Sequence, residues 1–226
     1  MLDVLIFDLD ETLYPRSTGL MEEINRRINL YMIEKMGMNP ALASRLRREY
    51  WQVYGTTSRG LQLLHQIDVD DYMAFVHDVP LNDYLSPDRE LDAVLAGLPQ
   101  RKIVFTNSTA QYARGVLTAL GIDRHFAAIY DVFFMGHESK PAAESYRRLV
   151  DALGVPPPRC LMVDDTARNL RPARALGMTT VLVDPLPGAE RDGADFVIGR
   201  IAEIGQVVSR VERGEQNAGI EAAQGV

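Results

Sequence analysis

Residues 2–7 form a short apolar run, Leu-Asp-Val-Leu-Ile-Phe, and the run stops abruptly at Asp8-Leu9-Asp10-Glu11-Thr12. A run this short without polar alternation predicts a strand buried on both faces, with acids crowding its exit. The rhythm then becomes helical. Leu20, Ile24, Ile28, Tyr31 and Met32 recur at helical spacing with Glu22, Glu23, Arg26 and Arg27 between them, predicting a helix over 20–36 that Gly37 stops. Asn39-Pro40 opens a second helix to Tyr54, Gly55-Thr56-Thr57-Ser58 breaks it, and the helical pattern resumes over 61–65 and again over 69–76.

After Pro87 helices and strands alternate, which is the signature of a parallel sheet covered by helices. Strands are predicted over 102–105, 129–134, 160–163, 180–183 and 196–198, with helices near 109–120, 141–153, 167–176 and 200–212. One strand, then a helical block, then repeating units implies an insertion. The expected architecture is α/β, a doubly wound parallel-sheet core from 1–15 and 85–212 carrying an inserted all-helical cap over 16–84. Residues 213–226, rich in Gly, Glu, Gln and Ala without periodicity, are expected to form a tail.

Composition narrows the partners. With 226 residues and 46% hydrophobic content the chain can bury a full core. A net charge of -7 argues against a nucleic-acid polymer or an anionic membrane, both of which need a basic surface. No apolar run approaches the roughly 18–20 residues that span a bilayer, and no basic flank of a signal peptide precedes the first strand, so the cytoplasm is the expected compartment. Cys160 is the only cysteine, which leaves no disulfide and no thiolate cluster, and its apolar neighbours place it in a strand. A small anion held by local cations and a metal remains compatible, and the sequence leaves monomer and homodimer open.

Ligands of open parallel sheets bind beyond the carboxyl ends of the strands. Here the first strand ends in Asp8 and Asp10, the second in Thr106-Asn107-Ser108 and the fourth in Asp164-Asp165, while Lys140 opens the helix after the third. Hard oxygen donors from Asp8 and Asp165 suit Mg2+. Zinc is disfavoured because His65, His77, His125 and His137 show no paired ligand spacing, and of these only His137 could reach the site rim. Of the 24 basic residues only Lys35, Lys102 and Lys140 are lysines, so an ammonium kept at this one strand exit stands out against an arginine habit.

Asp8-Leu9-Asp10-Glu11-Thr12, Thr106-Asn107, Lys140-Pro141 and Val163-Asp164-Asp165, in this order on this rhythm, closely resemble the four motifs of the haloacid dehalogenase superfamily of phosphatases. The Leu13-Tyr14-Pro15 continuation, the Tyr54-Gly55-Thr56-Thr57 break and Val76-His77 look most like its pyrimidine 5′-nucleotidase-like branch. The resemblance covers residues 1 to about 200. It implies Asp8 as nucleophile and metal ligand, and Asp10 as acid-base, with its backbone carbonyl on the metal. It further implies Thr106, Asn107 and Lys140 as phosphate ligands and Asp165 as a further metal ligand, with Asp164, Asn169 and Thr12 supporting them. Asn169 stands where many relatives carry a second acid.

The activity so implied is Mg2+-dependent hydrolysis of a small phosphorylated metabolite through an aspartyl-phosphate. A pyrimidine nucleoside 5′-monophosphate is the leading candidate, and Tyr54, Thr56 and Thr57 are expected to set specificity. A phosphoglycolate or sugar-phosphate phosphatase, a phosphosugar mutase and a catalytically silent binding protein are the alternatives. The intact Asp8, Asp10, Lys140 and Asp165 argue against the last.

Overall fold

The computed structural model describes residues 1–183 and 190–215. Six strands form one parallel sheet: β1 (Val4–Phe7), β2 (Arg101–Phe105), β3 (Phe126–Tyr130), β4 (Cys160–Asp164), β5 (Thr179–Val183) and β6 (Phe196–Ile198), in the spatial order β3-β2-β1-β4-β5-β6. Strand β1 is central, with Phe7 registered against Val104 of β2 on one side and Val163 of β4 on the other. The chain runs outward from β1 through β2 to β3 and then returns to β4. The direction of winding therefore reverses beside β1, which is where such sheets open a crevice.

Alternation sorts the strand residues onto two apolar layers. Leu5, Phe7, Val104, Leu161 and Val163 face one, and Val4, Ile6, Ile103, Phe105 and Met162 face the other. Helices α5 (Arg89–Ala96), α6 (Ala110–Ala119) and α9 (Ile204–Glu212) cover the first layer through Leu91, Val116 and Val207. Helices α7 (Ala143–Leu153) and α8 (Ala167–Ala175) cover the second through Tyr146, Leu149 and Leu170. Each such side chain contributes roughly 1.5–3 kcal/mol on burial.

Helices α1 (Leu20–Glu34), α2 (Pro40–Tyr54), α3 (Thr57–His65) and α4 (Val69–Val76) make up the insertion. Asn39 starts α2 by accepting the Ala41 N–H at 2.8 Å with Pro40 at the first helical position, and Thr56 starts α3 by accepting the Arg59 N–H at 3.1 Å. Their shared core contains Tyr31, Tyr50, Leu61, Tyr72 and Met73, with the Tyr31 and Tyr72 rings edge-to-face at 5.0 Å.

The third strand departs from its expected position: it occupies Phe126–Tyr130 rather than 129–134. As the edge strand it is half exposed, so it lacks the continuous apolar signature. The more apolar stretch beyond it is a turn in which Asp131 accepts N–H groups from Phe134 and Ala110, both at 2.9 Å, while Val132 and Met135 reach the core. Helix α5 has no counterpart among the helices predicted above; Asp88 starts it by accepting the Leu91 N–H at 2.9 Å. Of the expected tail, residues from 216 on lie outside the described residues. Among the described residues no helix is long and apolar enough to cross a membrane.

Candidate active site

The exit of β1 is a tight turn. Asp8 stays in register with the sheet through its N–H to the Val163 carbonyl at 2.9 Å, and Leu9 then accepts the Thr12 and Leu13 N–H groups. Glu11 bends the chain with a left-handed φ of 59°, a conformation that costs a non-glycine residue about 1 kcal/mol or more. This turn delivers Asp8, Asp10 and Thr12 to one place. Thr12 donates its hydroxyl to Asp8 Oδ2 at 3.0 Å and accepts the Asp165 N–H at 3.1 Å, so one buried side chain ties the exits of β1 and β4.

Lys140 is buried, and its ammonium donates to Asp8 Oδ1 at 2.6 Å and to Asp164 Oδ2 at 2.8 Å. Burial opposes its charge, but the Asp164 and Asp8 carboxylates more than compensate and hold its pKa above the usual lysine value. Asp164 is further fixed by the Asn169 amide at 3.0 and 3.2 Å and the Thr166 N–H at 2.9 Å. Asn169 thus acts on Lys140 through Asp164. Asn107 has a similar bearing on the lysine from the other side: its Oδ1 accepts the Lys140 N–H at 2.7 Å and its Nδ2 donates to the Lys140 carbonyl at 3.2 Å. Its side-chain amide is therefore engaged with the protein's own main chain. Thr106, buried at the end of β2, lines the cavity beside it.

Asp10 lines the same cavity but has partners of its own. Its Oδ1 accepts the hydroxyls of Tyr14 at 2.6 Å and Tyr112 at 3.1 Å, and its Oδ2 accepts that of Ser108 at 2.8 Å. Burial and the nearby Asp8 charge raise its pKa, and the three hydroxyls pull it back. Ser108 and Thr109 divide two duties here, because Thr109 is the residue that starts α6, accepting the Tyr112 N–H at 3.3 Å.

The carboxylates of Asp8, Asp164 and Asp165 each offer an oxygen within 4.8 Å of the others. The Asp165 pKa is pushed well up by burial and by the charges of Asp164 and Asp8, which outweigh the ion pair it makes with Arg16. Such a site holds more negative charge than its cations balance, and it offers only hard oxygen donors. Both properties fit a magnesium ion. With Asp164 committed to Lys140, Asn169 and Thr166, the residues that would hold the ion are Asp8 and Asp165, together with the Asp10 carbonyl.

Above these groups lies a cavity of about 660 Å3 between the sheet edge and the helical insertion. Thr56 and Thr57 line it, although Thr57 is buried and donates its hydroxyl to the Arg47 carbonyl at 3.1 Å. Tyr54 is not among the lining residues: its ring meets Tyr50 edge-to-face at 5.9 Å and its carbonyl accepts the Ser139 hydroxyl at 3.3 Å. His137 does not line the cavity either; its ring lies edge-on against Phe133. Arg16, Tyr14, Tyr112 and Arg47 carry no signal of their own in the sequence, whereas Ser108 belongs to the polar exit of the second strand without any sign that it would meet Asp10. Tyr14 was visible only as part of a longer motif, and the others stand in ordinary turns and helices.

A parallel sheet opening at its central strand onto three clustered carboxylates and a buried lysine, with a helical insertion above them, defines the class: an α/β fold of the haloacid dehalogenase type. The family model of haloacid dehalogenase-like hydrolases matches residues 2–177, and the chain belongs to that family. It is 30% identical over 236 residues to the glyceraldehyde 3-phosphate phosphatase of Methanopyrus kandleri, covering 94% of this chain and 100% of that protein. It is 29% identical over 204 residues to phosphate metabolism protein 8 of Saccharomyces cerevisiae; the match covers 79% of this chain but only 60% of the yeast protein's length. Among solved structures it shares the fold of an HAD phosphatase from Thermococcus onnurineus, with a TM-score of 0.64 at 19% identity over 92% of this chain and 98% of that one.

Proposed function

We propose that the protein is a magnesium-dependent phosphomonoesterase that works through an aspartyl-phosphate on Asp8. The observation that carries this reading is the division of labour between two carboxylates of one turn: Asp8 bonded to the Lys140 ammonium at 2.6 Å, and Asp10 held apart among three hydroxyls with a raised pKa. Asp8 attacks phosphorus, and the bond from phosphorus to the ester oxygen breaks. Asp10 gives its proton to the departing oxygen. In the second half Asp10 takes a proton from the water that attacks the aspartyl-phosphate, releasing inorganic phosphate and restoring Asp8. Lys140 and Thr106 receive the phosphoryl oxygens, and Asn107 keeps Lys140 in place. Magnesium, when bound, supplies positive charge to the phosphoryl oxygens.

The Methanopyrus kandleri relative, matched over 94% of this chain, is named for a small phosphorylated aldehyde, and a small phosphorylated metabolite suits the cavity volume. A nucleoside 5′-monophosphate is the finer reading suggested by the motifs around Asp8 and Tyr54. The residues that would hold a base lend it less support, since Tyr54 lies off the cavity and the Trp51 ring is covered by the Arg168 guanidinium at 3.7 Å.

Turnover of an aryl phosphate with Mg2+ and with a chelator, in the wild type and in Asp8→Asn, tests the reading. Chelation should abolish activity, and the Asn variant should lose at least roughly a thousand-fold while keeping its circular dichroism spectrum, because an amide cannot form the acyl-phosphate. Substantial turnover by folded Asp8→Asn would refute the covalent route.

A further inference from the structure

The charges lining the cavity are unevenly distributed. Its acids all have partners: Asp8 with Lys140, Glu11 and Asp165 with Arg16, Asp10 with three hydroxyls, and Glu190 with Arg171. Of the lining cations, Lys140 and Arg16 hold those acids. Arg168 lies over Trp51 and donates to the Trp51 and Gly55 carbonyls at 2.9 and 3.1 Å. Two remain, Arg47 and Arg48, both on α2 in the cap.

Arg47 is the more informative. Its Nη1 donates to Asn25 Oδ1 at 2.6 Å, which fixes the guanidinium against α1, while its Nε is buried without a hydrogen-bond partner. Among the described residues no carboxylate forms an ion pair with it. Burial and the adjacent Arg48 charge both lower its pKa, so the protein holds this cation in place against an electrostatic penalty. An anion delivered from the cavity would relieve that penalty and satisfy the free donors.

We propose that Arg47, steadied by Asn25 and reinforced by Arg48, forms a subsite for a second anionic group on the leaving part of the substrate. The substrate class is then a small phosphoester carrying a further carboxylate or phosphate. This rests on the phosphomonoesterase reading above and adds to it where selectivity resides. A neutral leaving group, whether an aldehyde, a polyol or a nucleoside, leaves Arg47 unmatched.

The test uses the full chain with Mg2+ and two matched pairs: 2-phosphoglycolate against glycolaldehyde phosphate for the carboxylate arm, and ethylene glycol bisphosphate against 2-hydroxyethyl phosphate for the phosphate arm. Wild type should prefer at least one anionic member, and which arm responds identifies the second group. In Arg47→Gln that preference should fall about 10- to 100-fold, mainly through KM, the effect of losing one charge-assisted contact. Arg47→Lys should restore part of it, and p-nitrophenyl phosphate turnover should change less than about three-fold in either variant. Preference for the neutral members, or equal losses on every substrate, would overturn the subsite. If wild type hydrolyses no phosphoester at all, the phosphatase reading falls instead. Calorimetric titration of the same pairs then decides the subsite separately: tighter binding of an anionic member that Arg47→Gln abolishes upholds it, and indifference to the second anion overturns it.

Discussion

Tyr14 and Tyr112 aim two phenol hydroxyls at one oxygen of Asp10, and Ser108 aims a third at the other. Hydrogen bonds to a carboxylate favour its ionised form, whereas burial and the Asp8 charge favour the protonated form. The general acid proposed for Asp10 needs the proton, so the hydroxyls that position it also oppose the rise in its pKa. Tyr14→Phe removes the shorter of the two phenol contacts. The Asp10 pKa should then rise further, and the alkaline limb of the kcat/KM profile should move to higher pH, because the acid keeps its proton longer. The maximum rate should fall by roughly 3- to 10-fold, since one hydrogen bond of about 1 kcal/mol no longer fixes the carboxylate. An unmoved alkaline limb would mean that Tyr14 does not act through Asp10.

At the scale of elements, the break between α2 and α3 is where the cap meets the core. Gly55 has a φ of +87°, and a Cβ there would lie 2.6 Å from the Lys140 carbonyl and 3.0 Å from Pro141 Cδ. The break therefore presses directly on the loop that presents Lys140. Gly37, with a φ of +67° and nothing within 4 Å, has the same backbone requirement without the contact. Gly37→Ala should cost about 1 kcal/mol, the conformational component alone. Gly55→Ala should cost about 2–4 kcal/mol in urea unfolding and should also depress kcat, because the Lys140 main chain must move. Equal destabilisation by the two variants would show that the cap does not bear on Lys140 through Gly55.

Across the whole molecule the two parts are joined at several points. Arg168 of α8 bonds to Trp51 and Gly55, Ser139 bonds to Tyr54, and His77 at the end of α4 stacks on Tyr112 of α6 at 4.2 Å. Burial pushes the His77 pKa down to about 3 from the ordinary 6.5. Between those values the unfolded chain binds a proton that the folded chain refuses. The contribution is thus fully present above pH 6.5 and declines as pH falls toward 3, by up to about 1.4 kcal/mol per pH unit and less where cavity water screens the ring. Urea unfolding at pH 7 and pH 5 should show a loss of stability that His77→Gln reduces. An identical pH dependence in the variant would remove His77 from the account.

Local pattern was enough to determine much of this protein. The buried run ending at Asp8, the helical block after it and the polar exits at Thr106 and Asp165 are each written within a few consecutive residues, because backbone propensity and burial leave periodic marks. Those marks placed Asp8, Asp10, Thr106, Asn107, Lys140, Asp164 and Asp165 around one sheet edge, and the family resemblance added Thr12 and Asn169; the structure brings these side chains to the same edge. What each side chain touches was decided only by the tertiary structure. Lys140 meets a carboxylate 132 positions away, and Ser108 meets one 98 positions away. Such pairings depend on strand order and register, which no short window of sequence contains. The same holds for the engagement of Asn107 with the lysine's main chain, and for the edge position that shortened β3 and drew it back. The cap shows it most clearly: helical spacing put Tyr54 and Arg47 on the same helix α2, but only the packing of that helix against α1 and α3 turned the arginine into the cavity and the tyrosine out of it.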